Sequence, residues 1–195
     1  MSLQRLSQGT KQDTIAYVIS KQQVKEFPMS VTQSTSRTRT ITWEDPLPSA
    51  LKGRTMSGID YLRAMQSGEL PAPPIVVLVG MSFDEIEEGR VVFAALPAEY
   101  HYNAIGVVHG GLAATMLDSA LGCAVHSTLP AGTGYTTLEI KVNYVRAITS
   151  ETGKIRSEAR VIYQGGRIAT AEGSITDAEG KLYAHGTTTC IIFRP

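Results

Sequence analysis

The stretch HGGLAATMLD, residues 109–118, decides how the rest of this chain reads. Two glycines open a strongly apolar segment in which Asp118 is the only acidic residue, and residues 109–134 contain no Lys, Arg or Glu. A carboxylate in apolar surroundings is costly unless it is paired, protonated or used in chemistry. Residues 110–128 place apolar or small side chains on every face, and a run of this length exceeds the usual strand, so the pattern predicts a buried helix. A helix apolar all round has to be wrapped by other structure.

Working outward, Pro130, Gly132 and Gly134 break that helix, and residues 137–145 then alternate with Leu138, Ile140, Val142 and Tyr144 on one face. Residues 154–163 alternate more cleanly, with Ile155, Ser157, Ala159, Val161 and Tyr163 towards the core and Lys154, Arg156, Glu158 and Arg160 towards water. Turns at Gln164-Gly165-Gly166 and at residues 177–180 deliver two further strands, over 167–176 and 182–193. Upstream, the apolar run 75–79 continuing through 82–87, a turn at Glu88-Gly89 and the run 90–96 read as a hairpin. Residues 97–108 read as a loop that leads to His109 and walls the site. Two strands, one long helix and four strands joined by short turns make an α+β chain: a curled antiparallel sheet of about six strands wrapped around one long central helix.

Towards the N-terminus, Leu70 to Pro74 is a stiff connector, and Ser57 with Asp60 caps a short helix, GIDYLRAMQS, that Gly68 ends. Residues 1–50 are rich in Ser, Thr and Gln, and their weak alternation fits either an edge strand or a loose arm. The division is a partly irregular N-terminal extension over residues 1–56 and one folded domain over residues 57–195. Lys plus Arg and Asp plus Glu each total 18, so no net field favours nucleic acid or an anionic membrane. The opening residues lack a signal-peptide core and no segment has the length of a membrane span, which gives a cytoplasmic expectation with no membrane or nucleic-acid partner. Two cysteines, Cys123 and Cys190, have neither metal-ligand spacing nor the density of a disulfide scaffold, so no metal is expected.

A helix starting near Gly110 has unpartnered N–H groups and a partial positive charge there, which would stabilise an oxyanion. Gly110 and Gly111 lack side chains, so a ligand carbonyl can approach the backbone. Asp118 lies about 12 Å further along the same helix, too far to act on the same bond. An antiparallel helix from a second subunit would bring its Asp118 to this Gly110, so the spacing itself suggests a site composed from two chains and an inactive monomer.

Asn103, Gly106, His109-Gly110-Gly111 and Asp118, followed by alternating strands and the Gln164-Gly165-Gly166-Arg167 turn, resemble the hotdog-fold acyl-CoA thioesterases, in particular the phenylacetate-pathway, PaaI-like group. The resemblance covers about residues 57 to 193. It implies a homodimer or homotetramer with sites at subunit interfaces, and an acyl- or aryl-CoA thioester as substrate rather than any cofactor. By the resemblance, the Gly110 N–H polarises the thioester carbonyl, Asn103 helps to place water or carbonyl, and Asp118 of the other subunit is general base or nucleophile. Thr137, or Thr136 after a one-residue slip, assists the water, and His109 shapes the turn. Gly111 belongs to the same approach, while Gly166, Arg167 and Arg146 are candidates for coenzyme A. A thiolate leaves without much protonation, so one base and an oxyanion hole suffice and no Ser-His-Asp set is required.

Structural explanations stand beside these. Asp118 could bond backbone or a hydroxyl such as Ser119, the two glycines could be a plain loop-to-helix junction, and Arg146 and Arg167 could be solvated strand-end residues. Tyr100 and Tyr102 could line an acyl pocket or pack locally, and His101, His126 and His185 are scattered singly. The alternatives to hydrolysis are a non-hydrolytic acyl-CoA binding or sensing module and an enoyl-CoA hydratase, the latter disfavoured by the lack of that subfamily's Asp and His pair.

Overall fold

The computed structural model describes residues 36–194. The chain divides into two compact units, residues 1–39 and 40–195, and the second holds every helix and strand described below. In order these are α1 (Pro46–Gly53), α2 (Gly58–Ser67), α3 (Pro74–Val79), β1 (Met81–Glu87), β2 (Arg90–Ala95), α4 (Gly110–Ser127), β3 (Gly134–Tyr144), β4 (Ile155–Gln164), β5 (Ile168–Thr176) and β6 (Leu182–Phe193). The strands form one six-stranded sheet in the order β1-β2-β4-β5-β6-β3, antiparallel throughout. Residues 1–35, most of the expected extension, lie outside the described residues, and within the rest of it α1 forms a helix capped by Asp45, whose carboxylate accepts from the Leu47 N–H (2.9 Å).

The expected curled sheet around one long helix is what forms. Leu112, Ala113, Met116, Leu117, Ala120, Leu121, Ala124 and Val125 bury one broad side of α4 against the sheet's inner face. That spacing of three and four is a helix stripe, and Phe93, Ile155, Ala159, Ala171 and Ile175 meet it. Helix α2 closes the far end. Ser57 Oγ accepts from Asp60 N–H (3.3 Å) and donates to its carboxylate (2.6 Å), and Gly68 ends the helix at φ +80°. The Gly58 N–H donates to the Leu129 carbonyl (2.9 Å), and a Cβ at Gly58 would fall 1.8 Å from the His126 carbonyl oxygen. Only glycine permits so close a crossing.

Three expectations need correction. Residues 75–79 are helical rather than part of the first strand, because Pro73-Pro74 preset a helix start and Gly80 (φ +70°) ends it after six residues. The alternation in β3 does not run through, because the register shifts between Thr137 and Glu139. This bulge turns Leu138 to solvent (56% exposed), while Tyr135 and, beyond the bulge, Ile140 and Val142 pack on the core. A similar shift between Val161 and Tyr163 leaves Tyr163 exposed, so the inward set on β4 stops at Val161.

The third correction concerns α4 itself. The sheet does not wrap it completely: Gly111 and Asp118 are exposed and Ala114, Thr115 and Ser119 are half-buried. The physical reason lies in strand order, since β3 is an edge strand paired only with β6 and cannot extend cover past that edge. Its free edge carries exposed Leu138 and Tyr144, with Val145 following.

Candidate active site

The start of α4 is built by His109. Its imidazole Nδ1 accepts from the Gly111 N–H (2.8 Å), and its carbonyl accepts from the Leu112 N–H (3.0 Å). An accepting Nδ1 puts the ring proton of the neutral imidazole on Nε2. The backbone N–H of His109 donates to the His101 carbonyl (2.8 Å), which fixes the entry of the chain. Of the first three helical N–H groups, two are thus satisfied, and the Gly110 N–H has no acceptor among the described residues. It sits where the helix dipole is most positive. A Cβ at Gly110 would come within 3.2 Å of the Tyr144 ring, so the aromatic ring closes directly onto the glycine backbone.

Around that N–H lies a pocket of about 310 Å³, whose wall includes Val108, His109, Ala113, Tyr144, Arg146 and Tyr183. The loop before it is held by Asn103. Its side-chain oxygen accepts from the N–H groups of Ile105 (3.0 Å) and Val107 (3.3 Å), and Gly106 takes φ +80° in the same turn. That oxygen is engaged in the turn, and Asn103 does not itself line the pocket. Val108 N–H then donates to the Ile148 carbonyl (2.9 Å), which hangs the loop on the segment that carries Arg146.

Asp118 is exposed on the uncovered side of α4, and its Oδ1 accepts from the Thr137 hydroxyl at 3.1 Å. The bulge after Thr137 is what aims this threonine at the helix, whereas Thr136 points to solvent. Further along α4, burial, and then the Asp118 charge, push the Cys123 thiol up to about 12. Burial also pushes the Tyr135 phenol well above its ordinary value and holds the His126 imidazole, packed between Tyr61 and Tyr135, below its own. Burial thus keeps the Cys123 thiol, the Tyr135 phenol and the His126 imidazole in their neutral forms at neutral pH.

Within one chain these residues fall into two separate groups. His109, Gly110 and Arg146 share the pocket, and Asp118 with Thr137 forms the second group, about 12 Å along the helix. Gly111 is exposed beside His109, while Gly166 and Arg167 lie in the β4–β5 turn and do not line the pocket. His101 is structural: Ala98 N–H donates to its Nδ1 (3.0 Å) and its Nε2 meets the Val79 carbonyl (3.0 Å). Among the described residues no three His, Cys, Asp or Glu side chains gather as a metal site requires, and no helix is long and apolar enough to cross a membrane. Sequence reading missed Tyr144 as a site residue because it counted as one more apolar position of an alternating strand; its place two residues before Arg146 was the available signal.

The profile of the thioesterase superfamily matches residues 105–184. Acyl-coenzyme A thioesterase 13 of Homo sapiens is 33% identical over 103 residues, which cover 52% of this chain and 71% of that protein. Among solved structures, a phenylacetic acid degradation-related protein from Ralstonia eutropha JMP134 superposes with a TM-score of 0.61 at 27% identity, covering 67% of this chain and 98% of that one. The phenylacetic acid degradation protein PaaI from Thermus thermophilus gives a TM-score of 0.56 at 25% identity over 61% of this chain and 98% of that one. With the curled sheet around α4 and the His109-Gly110-Gly111 helix start, these likenesses establish that the chain has the hotdog fold and belongs to the thioesterase superfamily, beside PaaI-like relatives.

Proposed function

We propose that this protein hydrolyses an acyl- or aryl-CoA thioester to the free acid and coenzyme A in a site composed from two subunits. The observation that carries the reading is the separation on α4 of an uncapped Gly110 N–H from an exposed Asp118 hydrogen-bonded to Thr137. The two are about 12 Å apart in one chain and belong to one reaction only if a second copy supplies the other half. The free edge of β3 offers the surface for that pairing, in a homodimer or a dimer of dimers.

In this mechanism the Gly110 N–H of one subunit, strengthened by the α4 dipole, donates to the developing oxyanion of the thioester carbonyl. Asp118 of the other subunit takes a proton from the attacking water, or attacks the carbonyl carbon itself, and Thr137 fixes the carboxylate's orientation. The Asn103 amide steadies the water or carbonyl, and His109 holds the turn that presents Gly110. The tetrahedral intermediate collapses with loss of the coenzyme A thiolate, which requires little protonation; on the nucleophilic route this leaves an acyl–Asp118 anhydride, which water hydrolyses to the free acid and the Asp118 carboxylate. Arg146 and Arg167, with Gly111 and Gly166 allowing close approach, meet the coenzyme A portion.

Thiol release from a panel of acyl- and aryl-CoA esters tests the activity, and binding of such esters without turnover of any would favour a sensing module instead. The composite site has its own test. Asp118→Ala and Gly110→Pro subunits, each strongly impaired alone, regain activity on mixing because a mixed dimer holds one complete site. Failure of mixed, subunit-exchanged samples to regain turnover would place both halves in the same chain.

A further inference from the structure

Arg146 is restrained far more than a strand-end arginine needs to be. Its backbone N–H donates to the Tyr183 carbonyl (3.1 Å), its Nη1 donates to the Leu182 carbonyl, and its Cζ lies 5.7 Å from the centroid of the Tyr183 ring. That distance is within cation–π range. Tyr183 is itself buried, and its hydroxyl donates to Asp177 Oδ2 at 2.9 Å. Asp177 is buried in the β5–β6 turn, where its Oδ1 accepts from the N–H groups of Glu179 (3.1 Å) and Lys181 (2.9 Å).

The turn uses only Oδ1. The bond from Tyr183 to Oδ2 adds nothing to the turn's backbone, and what it does is lock the angle of the ring on which the guanidinium rests. Burial opposes ionisation of Asp177, but the Lys181 N–H, the Tyr183 hydroxyl and the Glu179 N–H outweigh it and hold the carboxyl below its ordinary value, while burial and then Asp177 raise the Tyr183 phenol. The pair is a carboxylate and a neutral phenol, joined by a charge-assisted bond.

We propose that Tyr183 and Asp177 are positioning residues that aim the Arg146 guanidinium, at the wall of the Gly110 pocket, at a phosphate of the coenzyme A portion of the substrate. This rests on the reading of the site as an acyl-CoA thioesterase with Arg146 on the coenzyme A side. A guanidinium ordered before the ligand arrives loses little further freedom on binding, and its remaining N–H groups, which have no acceptor among the described residues, match phosphate oxygens. The effect belongs to binding rather than to the chemical step, and it reads out in KM.

The experiment compares a CoA thioester with the N-acetylcysteamine thioester of the same acyl group, which has no phosphate. Arg146→Ala raises KM for the CoA ester by about tenfold or more. Tyr183→Leu, which removes the ring, raises it roughly three- to tenfold. Tyr183→Phe keeps the ring but frees it from Asp177 and raises KM roughly two- to threefold, less than Tyr183→Leu, and an unaltered Tyr183→Phe enzyme overturns the role of Asp177. In each, the change is selective: KM for the CoA ester rises more than KM for the phosphate-free ester. No CoA-selective effect of Arg146→Ala overturns the phosphate role of Arg146 and this inference with it, whereas a clear Arg146 effect beside an unaltered Tyr183→Leu enzyme overturns the positioning role alone. A Tyr183→Leu effect equal on both esters does the same. Should Tyr183→Leu not fold, Tyr183→Phe combined with Arg146→Ala decides: non-additive KM changes are expected, and additive ones reject the coupling.

Discussion

The Thr137 hydroxyl donates to Asp118 Oδ1 at 3.1 Å, across the line where an edge strand meets the uncovered side of the central helix. This contact exists because a bulge between Thr137 and Glu139 reverses which side of β3 faces α4. The carboxylate is thereby oriented but still open to a second chain and to water.

Loss of Asp118 removes the proposed base. Asp118→Ala is expected to lower kcat by ~10² to 10⁴. Thr137→Ala removes one hydrogen bond and is expected to cost about three- to tenfold, Thr137→Ser very little, and Thr136→Ala nothing measurable. Steady-state thiol release on the best CoA ester checks the series, and equal losses at positions 136 and 137 would contradict the assignment.

Gly110→Pro isolates the backbone donor. Position 110 is the first of α4, where proline costs no helix hydrogen bond, and His109 already has the extended backbone (φ −62°, ψ 133°) that proline imposes on its predecessor. The variant is expected to keep its helical circular dichroism while kcat falls by ~10² to 10³. Gly110→Ala is the control, because it brings the same Cβ contact with Tyr144 but retains the N–H. The donor role would be rejected if both variants lost the same activity.

His126 links stability to pH. Burial holds its imidazole below the ordinary 6.5, so between the folded and unfolded values the unfolded chain binds more protons and stability rises with pH. The stabilisation is present above about 6.5 and is lost as pH falls through the folded value. Thermal midpoints measured from pH 7 down to pH 5 should decline, and His126→Phe should flatten that decline. A slope that the substitution leaves unchanged would assign the pH dependence to other groups.

Leu138 reports on assembly. It is 56% exposed on the single chain, so a charge there should shift the stability of an isolated subunit by no more than about 0.5 kcal/mol. In an assembly paired through β3, Leu138→Glu is expected to weaken the dimer and to cut activity at low protein concentration, with partial recovery at high concentration. Sedimentation and concentration-dependent turnover measure this; full activity at every concentration, with unaltered mass, would move the interface elsewhere.

Much of the molecule was legible because its signals are local. The glycine and proline punctuation around α4, the Ser57 cap, the clean alternation of β4 as far as Val161 and the short turns all arise from neighbours in the chain, and each appears where the residue pattern puts it. The placement of Gly110 and Asp118 as two separated groups on one helix was equally readable, since helical rise is independent of context. The short helix α3 was not: an apolar run of that size fits a strand as well as a helix, and the outcome turned on Pro73-Pro74 and Gly80.

What the sequence by itself determined is the long apolar helix, the strand set that buries it, and the presence on that helix of a backbone donor site and a lone carboxylate. Only the tertiary structure decided which threonine meets Asp118, that Tyr144 covers Gly110, that Arg146 rather than Arg167 lines the pocket, and that one side of α4 stays open. Periodicity assigns side chains to faces one strand at a time, whereas a bulge, a sheet edge and a shared pocket depend on how distant strands pair. Those pairings left β3 outermost, and an outermost strand beside an exposed carboxylate is what a second subunit would complete.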